Sequence, residues 1–297
     1  PPGKKIPKLP VQTTIYLQGS GAELYQRIAS QSSFSVYRLR ITNADDGKPI
    51  LNDKNVSLES AGLHDGSTLH VKDLGPQIAW RTVFLIEYLG PLLIHPLFLY
   101  IIRPHFFSAA ARTPTSSQTL TCALVTLHFA KRELETLFVH RFSAATMPLL
   151  NIFKNSAHYW LLSGLLIAFT TYSPTSWAAT ANPNPLATYS AVALYALSEL
   201  ANLHTHLVLR SLRSPGGTER GVPRSRPFEW VTCPNYMFEV AAWLAMLIVS
   251  RSWGTAVFIG VATAQMGVWA KKKESRYRKE SGPKYRPKRF VMIPGLW

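Results

Sequence analysis

The stretch VFLIEYLGPLLIHPLFLYII (83–102) decides the fold class of this chain. Its length matches the ~20 predominantly apolar residues that a helix needs to cross the hydrocarbon core of a bilayer. Five residues interrupt the apolar run: Glu87, Gly90, Pro91, His95 and Pro96. We therefore expect a tilted or partly buried helix here, and not an ordinary span that faces lipid on all sides.

Further apolar segments follow this one along the chain. They cover residues 119–139, 156–172, 187–209, 237–252 and 254–270. Several of them are short or polar for membrane spans. Together they still predict a mainly α fold, a polytopic membrane bundle of about six to seven helices.

The first 72 residues have no long apolar run. We predict a helix over GAELYQRIAS (21–30), and alternating apolar residues predict strands in SVYRLRIT (35–42) and STLHVKDL (67–74). This order resembles a ubiquitin-like fold, whose first strand would lie within or before the proline-rich start. The sequence thus predicts an α+β ubiquitin-like domain over 1–72 and a membrane domain over 73–297.

The chain is strongly basic, with a formal net charge of +16, and 47% of its residues are hydrophobic. Basic residues are densest in KKKESRYRKESGPKYRPKR (271–289), directly after the last apolar segment. The positive-inside rule places such a tail in the cytosol. Anionic lipids or an anionic small molecule are therefore the expected partners, and nucleic acid is not.

Three negative observations limit the kinds of site and segment that the sequence offers. Cys122 and Cys233 stand far apart, so the sequence offers neither a disulfide framework nor a CxxC metal site. The chain begins at Pro1 without the pattern of a signal peptide, and we expect residues to be missing before it. No G-x-G-x-x-G or P-loop motif is present to bind a phosphate group.

The stretch TCPNYMFEV (232–240) carries Asn235, Tyr236 and Glu239 at the start of an apolar helix. Polar groups at the edge of hydrocarbon are costly unless they face protein or water, so all three are candidate functional residues. A simpler interpretation is that Asn235 and Glu239 cap the helix and complement its dipole. The residues alone leave both interpretations open.

A second polar stretch, AKRELETLFVHRFS (130–143), has helical periodicity. Lys131 and Glu135 are four residues apart and are expected to pair on one face of the helix. His140 and Arg141 fall at its end, where cations are favoured, and an anionic ligand would favour both of these residues.

A third stretch, ELANLHTHLVLRSLR (199–213), also carries polar residues within an apolar segment. The spacing of Asn202, His206, Arg210 and Arg213 puts them along one side of a helix. This row suits a nucleotide cofactor, with polar packing between helices as the alternative. His204 and His206 do not share a helical face, so we predict no metal. The arginines in the loop over 214–227 would suit phosphate groups of a ligand. The alternative is an ordinary solvated loop.

Several motifs occur in a fixed order: LETLFVHRFS, MPLLNIFKNSAHYW, NLHTHLVLRSLR, CPNYMFEV and WAKKKESRYRKE. Preceded by a ubiquitin-like region, they resemble the trans-2-enoyl-CoA reductases of very-long-chain fatty acid elongation, in the steroid 5α-reductase superfamily. The resemblance implies NADPH as cofactor and a long-chain trans-2-enoyl-CoA as substrate. It also implies a multi-pass endoplasmic reticulum location, membrane lipids and other elongation enzymes as partners, and a role in sphingolipid metabolism.

The resemblance also implies roles for individual residues. Tyr236 becomes the proton donor and Glu87 the carboxylate that faces the substrate. The cofactor-binding set is Asn202, His206, Arg213, Asn235, Glu239, Lys273, Arg276 and Tyr277. The predicted substrate-binding set is His140, Arg141 and Lys154.

The chain departs from the steroid enzymes at two positions. It has His206 where they have Asp and Phe138 where they have Tyr, which we interpret as the loss of donors for a steroid carbonyl. Two alternatives remain open: a related membrane reductase acting on a steroid or polyprenol enone, and a non-catalytic membrane adaptor that displays a ubiquitin-like domain.

Overall fold

The computed structural model describes residues 6, 8–107, 113–142, 144–180, 182–214, 221–282, 285 and 290–295. Parts of two predicted segments lie outside this set, namely 215–220 of the arginine-containing loop and 283–284 and 286–289 of the basic tail. The chain forms two compact units. We call 1–80 with 145–151 the N-terminal unit, and 81–144 with 152–297 the helical unit.

In the N-terminal unit, helix α1 spans Gly21–Ser32. It begins with a capping box, in which the Ser20 side chain accepts from the Glu23 amide and the Glu23 carboxylate accepts from the Ser20 amide. A short 3₁₀ turn, Val36–Arg38, leads into strand β1, Leu39–Asn43. Strand β1 pairs antiparallel with β2, Leu69–Asp73. These elements confirm the predicted helix and two strands.

The core of this unit lies between α1 and the β1–β2 pair. Leu24 and Ile28 of α1 pack with Leu39 and Ile41 of β1. A second antiparallel pair joins β3, Gln77–Ala79, to β4, Thr146–Pro148. Residues 8–19 are described and contain no strand, so the first strand that a ubiquitin-like fold requires is not found there.

The helical unit follows the predicted apolar segments closely. Helix α2, Trp80–Leu97, continues through a π-helical turn at Phe98–Ile102 into α3, Arg103–Phe106. Another π-helical stretch, His158–Leu166, joins two of the later helices. The remaining helices are α4 Ser116–Phe138, α5 Asn151–Ala157, α6 Ile167–Tyr172, α7 Trp177–Thr180, α8 Pro185–Ser211, α9 Arg226–Trp230, α10 Pro234–Ser250 and α11 Trp253–Ser281.

Fewer of these helices qualify as membrane spans than the apolar segments predict. Among the described residues, one helical stretch, Trp80–Phe106, is long and apolar enough to cross a bilayer, and Pro234–Ser250 is a shorter apolar helix. Charged residues explain the difference, because α4 contains four between Lys131 and Glu135 and α11 ends in a basic stretch.

Helices α4, α8, α10 and α11 surround the apolar core of the helical unit. Helix α10 packs along α8 and also contacts α4 and α11. Phe129, Trp243 and Met246 lie at the centre of the core. The carboxyl halves of α4 and α8 and the amino end of α10 then place their polar side chains together at one end of this core.

Candidate active site

The candidate site begins at the start of α10. The N-cap residue is Cys233, and no side chain caps the helix there. The amides of Thr232 and Cys233 instead donate to the carbonyl oxygens of Phe290 and Val291, at 2.8 and 3.1 Å. Asn235 therefore lies inside the first turn without capping it, and the capping interpretation is wrong.

Asn202 of α8 connects three elements of the site. Its Nδ2 donates to the carbonyl oxygen of Asn235 at 2.9 Å and lies 3.5 Å from Oε2 of Glu239. Its Oδ1 accepts from Nζ of Lys131 at 2.7 Å. Asn202 is 2% exposed, so these bonds hold α4, α8 and α10 together where no water competes.

Glu135 of α4 is the centre of a buried ion-pair network. Its carboxylate contacts Lys131 Nζ at 3.1 Å and Arg132 at 2.7 Å. It also contacts His206 Nδ1 at 3.0 Å. The pairing of Lys131 with Glu135 predicted from their spacing is confirmed, but the pair is part of a larger network.

Lys131 also contacts Glu199 of α8 at 2.9 Å. His128, one helical turn before Lys131, lies between Glu199 and Glu239. Arg132 donates to the Tyr88 hydroxyl at 2.9 Å, which brings α2 into the same cluster.

Tyr236 follows Asn235 on α10 and is half-buried. It packs beside Cys233 and Met266. Its hydroxyl makes no hydrogen bond within the described part of the chain, in contrast to the buried Tyr195, whose hydroxyl donates to the Leu124 carbonyl at 2.8 Å. An acid must keep its proton available to a substrate, and the Tyr236 hydroxyl meets this requirement.

Glu87 of α2 is 1% exposed, and its Oε2 has no hydrogen-bond partner among the described residues. The next residue, Tyr88, belongs to the apolar core of the helical unit. A buried carboxylate oxygen without a hydrogen-bond partner is unusual in a folded protein. A donor group of a bound ligand would satisfy this oxygen.

The predicted substrate residues lie in different surroundings. His140 joins the site, because its ring lies 5.0 Å from that of His206. Arg141 instead donates to the backbone carbonyls of Arg210 and Arg213. Lys154 is exposed on α5 and has no contact with the cluster within the described residues.

Two other predicted positions also differ from expectation. Arg213 donates to the Arg141 carbonyl, so these two arginines bind each other's backbone. Phe138, which we expected to replace a pocket tyrosine, is 68% exposed. Its identity therefore does not report on the hydrogen-bonding capacity of the pocket.

A second basic group lies on α11. The guanidinium of Arg276 lies 5.2 Å from the ring centre of the buried Tyr277, and Lys273 Nζ lies 5.8 Å from it. Arg276 Nε has no hydrogen-bond partner among the described residues and is 3.6 Å from Glu280. Cys233 packs against Ala270, which puts the start of α10 beside this helix.

Glu135, His140 and His206 each offer a ligand atom, and these atoms lie within 4.8 Å of one another. Arg132, however, bonds to Glu135 and lies 3.4 Å from Nδ1 of His206. A metal ion would have to displace this guanidinium, so the arrangement fits an ion-pair network better than a metal centre.

The sequence analysis missed His128, Arg132 and Glu199 as members of the site. Their signal was nevertheless present. His128, Arg132 and Glu135 follow helical spacing on α4, and Glu199 extends the predicted α8 row by one step toward the amino end.

The carboxyl halves of α4 and α8 and the amino end of α10 thus bring charged and polar side chains together, and oxygens of Asn235 and Glu87 have no hydrogen-bond partner among the described residues. Such a set of groups is able to bind a polar ligand. The model of the 3-oxo-5-alpha-steroid 4-dehydrogenase family matches residues 145–297. The chain therefore belongs to this family of reductases.

Relatives narrow the class further. A Schizosaccharomyces pombe protein provisionally named an enoyl reductase is 45% identical over 98% of this chain and 96% of its own length. The very-long-chain enoyl-CoA reductase of Dictyostelium discoideum is 36% identical over 92% and 91%. A Caenorhabditis elegans protein provisionally named a very-long-chain enoyl-CoA reductase is 38% identical over 84% and 81%.

Proposed function

We propose that this chain reduces trans-2-enoyl-CoA to saturated acyl-CoA with NADPH, as the last step of very-long-chain fatty acid elongation. The chain is an oxidoreductase that acts on a CH–CH bond, by its family and its similarity to enoyl-CoA reductases. The observation that carries the proposed mechanism is the buried cluster around Asn202, together with the Tyr236 hydroxyl, which makes no hydrogen bond within the described part of the chain.

A nicotinamide cofactor fits the orphaned polar atoms. The buried Oδ1 of Asn235 has no hydrogen-bond partner among the described residues and suits the carboxamide N–H of a nicotinamide. Glu239 and Asn202 would hold the adjoining ribose, with His206 bonded to the same network. Lys273, Arg276 and Tyr277 would hold the phosphates, Arg276 through its Nε, which has no hydrogen-bond partner among the described residues and lies 3.6 Å from Glu280.

Arg213 is the least direct member of this proposed cofactor set. Its guanidinium already binds the Arg141 backbone. Arg141 and Arg213 would then stabilise the carboxyl end of α8 and attract phosphates through their charge, without contacting them directly.

When bound, the cofactor supplies the hydride that adds to C3 of the enoyl thioester. Tyr236 then donates its proton to C2, so that one hydride and one proton saturate the double bond. Negative charge develops on the thioester oxygen during the reaction, and donors aimed at that oxygen stabilise it. His140, which lies in the cluster, would be one such donor. Glu87 would face the substrate through its Oε2, which has no hydrogen-bond partner among the described residues.

The substrate and the membrane location follow from different features. Lys154 and Arg141 are the predicted cations for the CoA phosphates.

Many large apolar side chains of the helical unit are exposed, among them Leu93, Leu134 and Leu197, which suits contact with lipid. We propose that this is a multi-pass protein of the endoplasmic reticulum membrane with a cytosolic tail. Its short and polar helices would cross the membrane while packed against neighbouring helices.

The N-terminal unit supports a separate part of the proposal. Its α1 packs on an antiparallel pair, as in a ubiquitin-like domain. We propose that 1–72 is such a domain and that other elongation enzymes bind it.

A steroid enone is the second candidate substrate, favoured by the description of the matching family. The two are separated by one assay on purified full-length chain, with NADPH oxidation followed against a long-chain trans-2-enoyl-CoA and against a steroid enone. We expect rapid turnover of the enoyl-CoA and a saturated acyl-CoA product by mass spectrometry. Turnover of the steroid alone would replace the proposed substrate, and no oxidation with either would contradict the proposed activity.

A further inference from the structure

His128 lies between two carboxylates that come from different helices. Its Nδ1 is 2.6 Å from Oε1 of Glu199 on α8, and its Nε2 is 3.2 Å from Oε1 of Glu239 on α10. The side chain is 2% exposed. Its ring also lies edge-on to Trp243, at a centroid distance of 5.2 Å.

This geometry determines the protonation state of the ring. A neutral imidazole has one N–H donor and one lone pair, and the lone pair would then face a carboxylate oxygen. Both contacts are favourable only when both nitrogens carry a proton. His128 is therefore an imidazolium that donates to Glu199 and to Glu239.

The charges of the surrounding groups agree with this assignment. The network holds three carboxylates, Glu135, Glu199 and Glu239, and two other cations, Lys131 and Arg132. Setting aside the imidazoles of His140 and His206, which also contact Glu135, a charged His128 brings these groups to three positive and three negative. A buried network is stable only when its charges are paired and hydrogen-bonded.

His128 fixes the orientation of Glu239. The same oxygen, Oε1, also accepts from Nε1 of Trp243 at 3.3 Å. The other oxygen, Oε2, is thereby turned toward Nδ2 of Asn202, 3.5 Å away. Glu239 thus presents one defined oxygen to the place where the proposed cofactor would bind.

We propose that His128 is a positioning residue for cofactor binding: clamped by Glu199, it holds the Glu239 carboxylate in the orientation that the cofactor requires. This inference rests on the proposed function, because it assumes that Glu239 contacts NADPH. His128 itself does not touch the reacting atoms.

The alternative is that His128 only fills space beside Phe129 and Trp243. A purely structural role predicts a less stable protein whose folded fraction binds NADPH normally. A positioning role predicts weaker NADPH binding by protein that is still folded. The two differ in cofactor affinity, which packing alone does not change.

The test measures the NADPH dissociation constant, the NADPH Michaelis constant and the thermal midpoint of the purified full chain. The variants are His128→Gln and Glu199→Gln, separately and together. The matched control is His95→Gln, because His95 is equally buried yet bonds to Tyr172 and the Ser163 carbonyl, away from this cluster.

We expect His128→Gln to raise the NADPH dissociation constant about tenfold or more, with a similar rise in the Michaelis constant and a much smaller change in turnover at saturation. Glu199→Gln should have the same direction of effect, and the double variant should be less than additive, since both residues act through Glu239. His95→Gln should lower the thermal midpoint and leave NADPH affinity unchanged.

If His128→Gln does not fold, Glu199→Gln alone decides the question by the same measurements. Unchanged NADPH affinity in folded variants, with normal binding by the wild-type protein, would overturn the positioning role alone. No NADPH binding by the wild-type protein would overturn the proposed function and this inference with it.

Discussion

The Asn202 side chain donates to the backbone carbonyl of Asn235 at 2.9 Å, and so ties the carboxyl half of α8 to the first turn of α10. This bond fixes the direction in which α10 begins. The Asn235 Oδ1 has no hydrogen-bond partner among the described residues, and Tyr236 lies one residue further along the same turn. One interhelical contact therefore positions both the residues proposed to bind the cofactor and the proposed proton donor.

The first prediction concerns this proton donor. Tyr236→Phe keeps the aromatic ring and removes the hydroxyl proposed to donate the proton, so turnover should fall by about 10²–10⁴, the usual contribution of general acid catalysis. NADPH affinity should persist. The measurement is turnover at saturating enoyl-CoA together with the NADPH dissociation constant.

The matched control for this change is Tyr195→Phe. Its hydroxyl bonds to the Leu124 carbonyl, so that variant should lose about 1 kcal/mol of stability with turnover largely kept. Near-normal turnover in Tyr236→Phe would remove the tyrosine from the mechanism and direct the search to Glu87 or His140.

A second prediction tests the ion-pair network. Lys131→Met removes a cation that contacts Glu135, Glu199 and the Asn202 amide oxygen. Uncompensated buried carboxylates are costly, so we expect a loss of about 3 kcal/mol in the free energy of unfolding. A lower thermal midpoint and weaker NADPH binding should accompany it.

Lys272→Met is the control, because Lys272 is exposed on α11 and its loss should change stability by no more than about 0.5 kcal/mol. Equal thermal midpoints for the two variants would mean that the network contributes little to stability.

The helices were predictable because apolar residues dominate each of the segments that form them. Apolar periodicity located α4, α8, α10 and α11 to within a few residues at most ends. The predicted number of membrane spans was not matched, because among the described residues one helical stretch, Trp80–Phe106, is long and apolar enough to cross a bilayer. Helix α4 is not, since it carries charged residues such as Lys131 and Glu135.

The site was predictable only in part. Asn202, Asn235 and Glu239 lie together, and His206 joins them through Glu135 and Lys131. That these residues bind a cofactor stays a prediction. The part that failed involves partners far apart in sequence. No local pattern shows that His128 meets both Glu199 and Glu239, or that Arg213 uses its guanidinium on the Arg141 backbone.

A third prediction addresses cofactor preference. Arg276→Ala removes a guanidinium whose Nε has no hydrogen-bond partner among the described residues. A charge-assisted contact contributes about 1.5–3 kcal/mol, so the Michaelis constant for NADPH should rise about tenfold or more. The Michaelis constant for NADH should change little, because NADH lacks the 2′-phosphate that distinguishes NADPH.

Arg278→Ala provides the comparison, since its guanidinium is paired with Glu274 at 2.7 Å on the exposed side of the same helix. Steady-state kinetics with both cofactors gives all the required constants. An equal rise for NADPH and NADH would show that Arg276 does not recognise the additional phosphate.

A fourth prediction uses the close approach of Gly90 to Trp160. A Cβ atom at position 90 would lie 2.3 Å from the Trp160 ring, and the ring is held because its Nε1 donates to the Ile86 carbonyl at 2.9 Å. Gly90→Ala should therefore force α2 away from the ring and cost about 1–3 kcal/mol. Gly260→Ala is the control, as nothing lies within 4 Å of a Cβ there. The thermal midpoints should differ; equal values would mean that Trp160 moves freely.

The last prediction concerns the N-terminal unit and its dependence on pH. The Tyr25 hydroxyl accepts from the Ile41 amide and donates to the Ile50 carbonyl, both at 3.1 Å. Burial raises the pKa of the Tyr25 phenol above its usual 10.0. The fold therefore favours the neutral phenol, whose contribution is fully present below pH ~10 and is lost as the pH rises above it.

Tyr25→Phe leaves the Ile41 amide and the Ile50 carbonyl without this partner, which should cost about 1–3 kcal/mol. It should also remove the alkaline loss of stability due to Tyr25. Hydrogen exchange of the β1 segment in the full chain, corrected for intrinsic rates and measured at increasing pH, reports both effects. Tyr37→Phe is the control, because Tyr37 is 49% exposed. Equal protection of β1 in the two variants, or an unchanged alkaline profile in Tyr25→Phe, would show that this phenol does not link α1 to the sheet.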